Sequence, residues 1–240
     1  MVKLGVNLDH VATIRQQRYT PYPDMLNAIK ISESSGADSI TMHLREDRRH
    51  IQFEDIIIAR ENIKTKLNLE MAPTYEMCKI ANKIKPDFIC IVPEKRQELT
   101  TEGGLNVKKN FGLLKNIIEE LKGSEALVSL FIEPDNTVID QAKELGVGAI
   151  ELHTGKYAEA TEENKEFYVS QIKNATNYAH NLSIIVNAGH GLDYTNVQEI
   201  AKIEHINELN IGHSIIAESI FLGLSEAIKK MKISIKSVKR

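Results

Sequence analysis

Ile184-Ile185-Val186-Asn187-Ala188-Gly189-His190-Gly191 is a short aliphatic run that stops in a polar, glycine-bearing ending. Three successive apolar residues without alternation suit a strand buried on both faces, the kind found in parallel sheets. The same design recurs along the chain. Residues 3–8 lead into Asp9-His10, residues 39–42 into His43-Leu44-Arg45, and residues 88–92 into Glu94-Lys95-Arg96. Residues 67–69 bracket Asn68 and stop at Glu70, and residues 127–132 stop at Glu133. Residues 147–152 carry Glu151 and stop at His153, and residues 209–211 meet Gly212-His213. One architecture gathers the C-terminal ends of eight parallel strands into a single face, where such scattered polar residues become neighbours.

Helix-like segments separate the runs: 25–35, 53–63, 77–84, 111–121, 138–145, 164–179, 197–203 and 214–231. Asp24 is placed to cap the first, and Gly36, Gly123 and Gly146 follow three of them. Strand and helix alternate about eight times with no low-complexity linker, the pattern of α/β construction. An open doubly wound sheet is the rival, but its glycine-rich turn is missing after the first strand, which ends Asn7-Leu8-Asp9-His10. The expectation is an α/β fold, a (β/α)8 TIM barrel with extra helical segments, forming one domain over residues 1–240. Its length of 240 residues is close to the roughly 250 typical of that barrel. Residues 9–24 and 94–110 are expected to be long loops on the face that carries the site.

Composition narrows the partners. Net charge is −3, so the chain advertises neither nucleic acid nor a membrane, and an anionic substrate must meet local positive groups. Cys78 and Cys90 lack the spacing of a disulfide framework or zinc site, which suits a reducing cytoplasm. No secretory signal or membrane-spanning run is evident.

His10, His43, His50, His153, His190 and His213 fall at or just past expected strand ends, where barrel enzymes build their sites. Below that layer the barrel interior is expected to be apolar, so a carboxylate at Glu70 reads as a tuned acid–base group or as an arginine's partner. Glu151 has the same character or braces a neighbouring strand. Arg45 suits bidentate recognition of phosphate, with Arg18 able to reach the same ligand. Asn187–Gly191 and Asn210–Ser214 occupy the last two strand ends, where barrels often hold phosphate at a helix N-terminus, and Ser214 is placed to cap the last helix. Glu133 is expected to be structural. The lysine-rich tail, Lys229, Lys230, Lys232, Lys236, Lys239 and Arg240, reads as a solvated helix end or as a contact for an anionic partner. Three functions stay open on these residues: an acid–base enzyme, a metal-dependent epimerase or aldolase, and a non-catalytic sensor of a phosphorylated metabolite.

Several blocks carry a closer likeness: residues 5–13, the stretch from His43 to Ile51, residues 68–72, 92–98, 100–104 and 186–192, and Glu208-Leu209-Asn210-Ile211-Gly212-His213. Together they resemble the pyridoxine 5′-phosphate synthase family over essentially the whole chain. The resemblance implies condensation of 3-amino-2-oxopropyl phosphate with 1-deoxy-D-xylulose 5-phosphate to pyridoxine 5′-phosphate, phosphate and water. It implies no cofactor and no catalytic metal, and a homo-octamer built from dimers. It makes His43 and Glu70 proton acceptors, His190 a proton donor and Glu151 a stabiliser of charged intermediates. Asn7, Arg18, Gly191, Gly212 and His213 then resemble the aminoketone phosphate site. Asp9, His10, Arg45, His50 and Thr100 resemble the deoxyxylulose phosphate site. Intermediates of such a reaction would react with bulk water, so the long loop over residues 94–110 is expected to serve as a lid.

Overall fold

The computed structural model of the protein describes residues 1–94 and 103–238. Eight parallel strands pair in chain order and close into a barrel. They are β1 (Lys3–Asn7), β2 (Ser39–His43), β3 (Lys66–Met71), β4 (Phe88–Ile91), β5 (Leu127–Ile132), β6 (Ala149–His153), β7 (Ile185–Gly189) and β8 (Ile206–Ile211). Around them lie α1 (Asp9–Gln16), α2 (Met25–Ser34), α3 (Phe53–Asn62), α4 (Tyr75–Ile84), α5 (Val107–Glu120) and α6 (Asn136–Glu144). The ring is completed by α7 (Gly155–Ala158), α8 (Glu162–Asn181), α9 (Val197–Ala201), α10 (His213–Leu222) and α11 (Leu224–Lys236). The expected (β/α)8 barrel with extra helical segments is therefore the observed fold.

Alternation along each strand sorts side chains between two interiors. Leu4, Val6, Ile40, Met42, Leu67, Leu69, Ile150 and Leu152 are fully buried, as are Ile29, Ile56, Met77, Leu114 and Ile139 on the helices. They belong to one apolar cluster between barrel and helices. Each such side chain stabilises the fold by roughly 1.5–3 kcal/mol relative to exposure. Helix starts are set locally: Asp24, Thr74, Asn106 and Asp135 accept backbone N–H bonds from the first turns of α2, α4, α5 and α6.

The lumen differs from expectation. Ser39, Thr41, Asn68, Ser129, Glu151, Glu208 and Asn210 are all buried there. Thr41 Oγ1 donates to Asn210 Oδ1 at 3.2 Å and Asn68 Nδ2 to Thr41 Oγ1 at 3.2 Å. Ser39 Oγ donates to Glu208 Oε1 at 2.9 Å. These bonds from β2 to β8 cross in front of β1, and Gly5 permits it: a Cβ there would stand 2.0 Å from Asn210 Oδ1. Towards the N-terminal end a cavity of about 210 Å³ is lined by Lys3, Asn68, Ser129, Asn187, Asn207 and Glu208 among others. Stacked aliphatic layers are therefore replaced by hydrogen-bonded amides, hydroxyls and carboxyls.

Three local expectations are also corrected. Residues 9–24 are not all loop, because Asp9–Gln16 forms α1 and buries Val11 and Ala12. The last expected helix is broken at Gly223, whose φ of 77° ends α10 and starts α11 at an angle. Ser214 caps no helix. Its hydroxyl donates to the Leu192 carbonyl at 2.7 Å, tying the β8 exit to the β7 exit. In the tail, Lys229, Lys230 and Lys232 pair with Glu226, Glu218 and Asp38, so these three lysines serve the fold's own surface. Lys239 and Arg240 lie outside the described residues.

Candidate active site

Asp9 opens α1 directly after β1 and is almost fully buried. Its carboxylate accepts the His43 backbone N–H at 2.8 Å and the Asn7 side-chain amide at 3.0 Å, while Asn7 Oδ1 accepts the Asp9 N–H at 2.8 Å. Asn7, Asp9 and His43 are thus one locked unit across the β1 and β2 ends. The parallel register sets Glu70 beside His43. His43 Nε2 contacts Glu94 Oε1 at 2.8 Å, and Glu94 Oε2 accepts the Glu46 N–H at 3.0 Å. Burial alone would raise the Glu94 carboxyl, but the His43 contact, the Glu46 amide and the Arg45 charge hold it below its ordinary value. An ionised Glu94 fixes the imidazole through Nε2–H and leaves Nδ1 as its lone-pair nitrogen.

His50 is oriented as firmly. The Ile51 N–H donates to His50 Nδ1 at 2.8 Å, so the neutral ring carries its hydrogen on Nε2. Asp9, His43 and His50 bring one ligand-type atom each to within 4.8 Å of the others. With Nδ1 occupied and Nε2 protonated, however, His50 has no lone pair to give a cation, and the cluster suits hydrogen bonding to a substrate oxygen. Burial, together with the His43, Arg45 and His10 charges, lowers the His50 pKa against the opposing pull of Asp9. His10 is lowered mainly by burial, with Asp9 opposing and His213 adding, and its ring meets His213 edge-on at 4.8 Å.

On the far side of the mouth, Glu151 is only 3% exposed. Asn210 Nδ2 donates to its Oε2 at 2.6 Å, and the Cys90 thiol approaches the same oxygen at 3.9 Å. The Asn210 bond passes over β7 at Gly189, where a Cβ would stand 2.5 Å from Glu151 Oε1. Burial pushes the Glu151 carboxyl up, with Asn210 opposing and Glu208 adding. Glu70 is pushed well above the ordinary range by burial first, then by the charges of Glu151 and Asp9. The two titrate as a linked pair. The amide donated to Glu151 favours charge there and the remaining proton on Glu70.

His190 follows β7 with a φ of 81°, a conformation costly for a residue with a Cβ and typical of functional positions. Thr154 holds it there: its backbone N–H donates to the Gly189 carbonyl at 2.9 Å and its hydroxyl to the His190 carbonyl at 2.6 Å. Its ring lies 4.9 Å from that of His153 and 6.3 Å from that of Phe131, and burial followed by the His153 charge lowers its pKa.

Most residues singled out by sequence come together. Gly212 approaches Asn7 so closely that a Cβ would lie 2.9 Å from the Asn7 Cβ, and His213 sits against His10. Gly191 packs on α7, where a Cβ would meet Ala158 at 2.6 Å. Arg45 is buried and tied to Asp47 by two bonds of 3.1 and 3.0 Å. Arg18 is exposed in the turn beyond the end of α1. Thr100 lies outside the described residues, as do residues 95–102 of the expected lid, and residues 107–110 belong to α5 rather than to a loop. Glu94 and Cys90 carried no role from sequence, and Asn210 only a place in the β8 phosphate loop rather than the bond to Glu151. For Glu94 the available signal was its place just after β4; for the other two it was the lumen-facing alternation.

A closed parallel barrel that sets histidines and tuned carboxyls at its C-terminal mouth defines an acid–base enzyme of the (β/α)8 class. Solved barrels agree on the fold. KGPDC from Streptococcus mutans matches with a TM-score of 0.66 at 10% identity over 99% of each chain. Phosphoribosyl anthranilate isomerase from Thermus thermophilus matches with a TM-score of 0.63 at 12% identity over 99% of this chain and 100% of that one. The chain belongs to the family described as pyridoxal phosphate biosynthesis protein PdxJ, whose model matches residues 4–237. It is 53% identical over 232 residues to the pyridoxine 5′-phosphate synthase of Prochlorococcus marinus (strain MIT 9515), covering 97% of this chain and 98% of that protein. It is likewise 53% identical over 234 residues to the pyridoxine 5′-phosphate synthase of Sulfurihydrogenibium sp. (strain YO3AOP1), covering 96% of each.

Proposed function

We propose that the protein closes the ring of vitamin B6, condensing 3-amino-2-oxopropyl phosphate with 1-deoxy-D-xylulose 5-phosphate to pyridoxine 5′-phosphate, phosphate and water. Full-length membership of the family, at about half identity to synthases of that name, carries this reading. The amine is brought by one substrate, so the imine forms between substrates and needs no lysine from the protein. Each later step, dehydration, phosphate loss and ring closure, then moves protons.

The residues divide this labour. His43, with Glu94 on Nε2, offers Nδ1 as a base. Glu70, whose carboxyl burial pushes well above its ordinary value, can both accept and return a proton, the property a sequence of transfers requires. Glu151 stabilises cationic intermediates across the mouth. His190, lowered in pKa, gives its proton readily. Asn7, Gly191, Gly212 and His213 at the β1, β7 and β8 ends bind the aminoketone phosphate, with the N-terminus of α10 directed at it. Arg18 reaches the same phosphate from the turn after α1. Asp9, His10, Arg45, His50 and Thr100 bind the deoxyxylulose phosphate. No cofactor or metal takes part.

The protein works in the cytoplasm as a homo-octamer built from dimers and meets neither nucleic acid nor membrane. Among the described residues, no helix is long and apolar enough to cross a membrane. Mixing both purified substrates with the protein and chelator should release phosphate and build a pyridinol chromophore. A folded protein that does neither sinks the reading. Light scattering of the pure protein checks the octamer.

A further inference from the structure

Glu133, directly after β5, is the carboxylate with no role so far. It accepts the Gly104 N–H at 3.0 Å, contacts His153 Nδ1 at 2.8 Å and pairs with Lys156 Nζ at 2.8 Å. The His153 bond, with Lys156 and Gly104 adding and burial opposing, holds its carboxyl down at about 2. An ionised carboxylate only accepts, so His153 must carry hydrogen on Nδ1. Nε2 is then the acceptor of the neutral ring. That nitrogen is buried, on a residue only 7% exposed, and has no hydrogen-bond partner among the described residues. Leaving a buried acceptor open is costly, and the large majority of buried polar side-chain atoms have a partner.

Nε2 faces the His190 side of the mouth. A Cβ on Gly155 would stand 2.5 Å from His153 Nε2 and 3.3 Å from His190 Cδ2, so both rings border one narrow space kept free by that glycine. Phe131 closes the other side of His153 at 5.2 Å. The charged and titratable groups facing the pair are Glu133 and Lys156 behind His153, Glu159 near His190, and Glu151 two residues back on β6. A carboxylate fixing one nitrogen of an imidazole whose other nitrogen faces the reacting group is the arrangement that sets tautomer and supports a transient imidazolium.

We propose that Glu133 and His153 form a carboxylate–imidazole pair that positions His190 and returns its proton after each donation, making His153 a further positioning residue of the reaction. The inference rests on the reading of His190 as proton donor in the ring-closing condensation. His190 gives a proton to the departing oxygen and is left neutral. Solvent supplies a proton to His153 Nε2, and the imidazolium stands against ionised Glu133. A water in the space beside Gly155 relays that proton to the His190 ring, leaving His153 neutral with hydrogen on Nδ1 and Glu133 unchanged.

The full-length protein is assayed with both substrates by phosphate release, from about pH 6 to about pH 9, beside His153→Gln, Glu133→Gln and His190→Gln. His153→Gln is expected to lower kcat about 100-fold, with both KM values within about twofold. Its kcat–pH profile should lose one ionisation, and added imidazole should recover part of the rate. Glu133→Gln keeps a carbonyl towards the Gly104 N–H and Nδ1 but removes the charge that stands against the imidazolium, and should lower kcat similarly without imidazole rescue. A kcat within about threefold of the parent and an unmoved pH profile in either variant overturn the proposal. If His153→Gln does not fold, Glu133→Gln decides alone. A silent parent, or His190→Gln at full rate, overturns the underlying reading and this one with it.

Discussion

Glu70 and Glu151 share the barrel mouth, and among the described residues only Glu151 has an amide fastened to it. Glu70→Gln should therefore lose about 100-fold or more in kcat while folding normally, because the amide cannot exchange protons. The same variant tests the electrostatics. A carboxyl raised on folding binds more protons folded than unfolded between its two pKa values. Its contribution to stability is complete below the unfolded value of about 4.3 and is lost as pH climbs towards the folded value. The Tm of Glu70→Gln minus that of the parent should then grow from about pH 5 to about pH 9; a constant difference would refute the assignment. His43, Glu70, Glu151 and His190 were visible in the sequence because a titratable residue that ends an aliphatic run is conspicuous. Asn210 was not, since an amide declares its partner only when the residue across the barrel is known. That partner lies 59 positions away and is reached over Gly189.

Elements were legible in kind and displaced in extent. β3, β7 and β8 run past the aliphatic residues that announced them, taking in Glu70, Asn187 and Glu208, because their lumen-facing positions are polar. α1 was hidden for the opposite reason: a short helix with two buried apolar residues gives little periodicity. That helix matters to the site. Arg15 binds both oxygens of Asp55 on α3 at 2.6 Å and reaches the His50 carbonyl at 3.5 Å. Arg15→Ala leaves Asp55 buried and unpaired and should cost about 3 kcal/mol, read as a lower urea midpoint, with a higher KM for deoxyxylulose phosphate. Gly5→Ala strikes β1 from within. Its methyl would displace the Asn210 amide, costing about 1–3 kcal/mol and lowering kcat by freeing Glu151. A variant as stable and active as the parent would show that the lumen yields more easily than its packing indicates.

Across the whole molecule a net charge of −3 meets two phosphorylated substrates, so recognition depends on local groups and helix ends. Each substrate at about 100 times its Kd should stabilise the fold by about 2.7 kcal/mol, and thermal unfolding with and without ligand measures it. The barrel itself was readable from the recurrence of strand and ending; the material inside it was not. That filling reaches beyond the site. Unfolding exposes amides, hydroxyls and carboxyls from the lumen as well as aliphatic groups from the helix layer. Polar exposure lowers the heat capacity that apolar exposure raises, so the increment per residue should fall below the usual value of about 12–15 cal/mol/K. Calorimetry would then trace a broad, shallow dome of stability against temperature, a molecule less sensitive to cold than a barrel of the same length filled with valine and leucine.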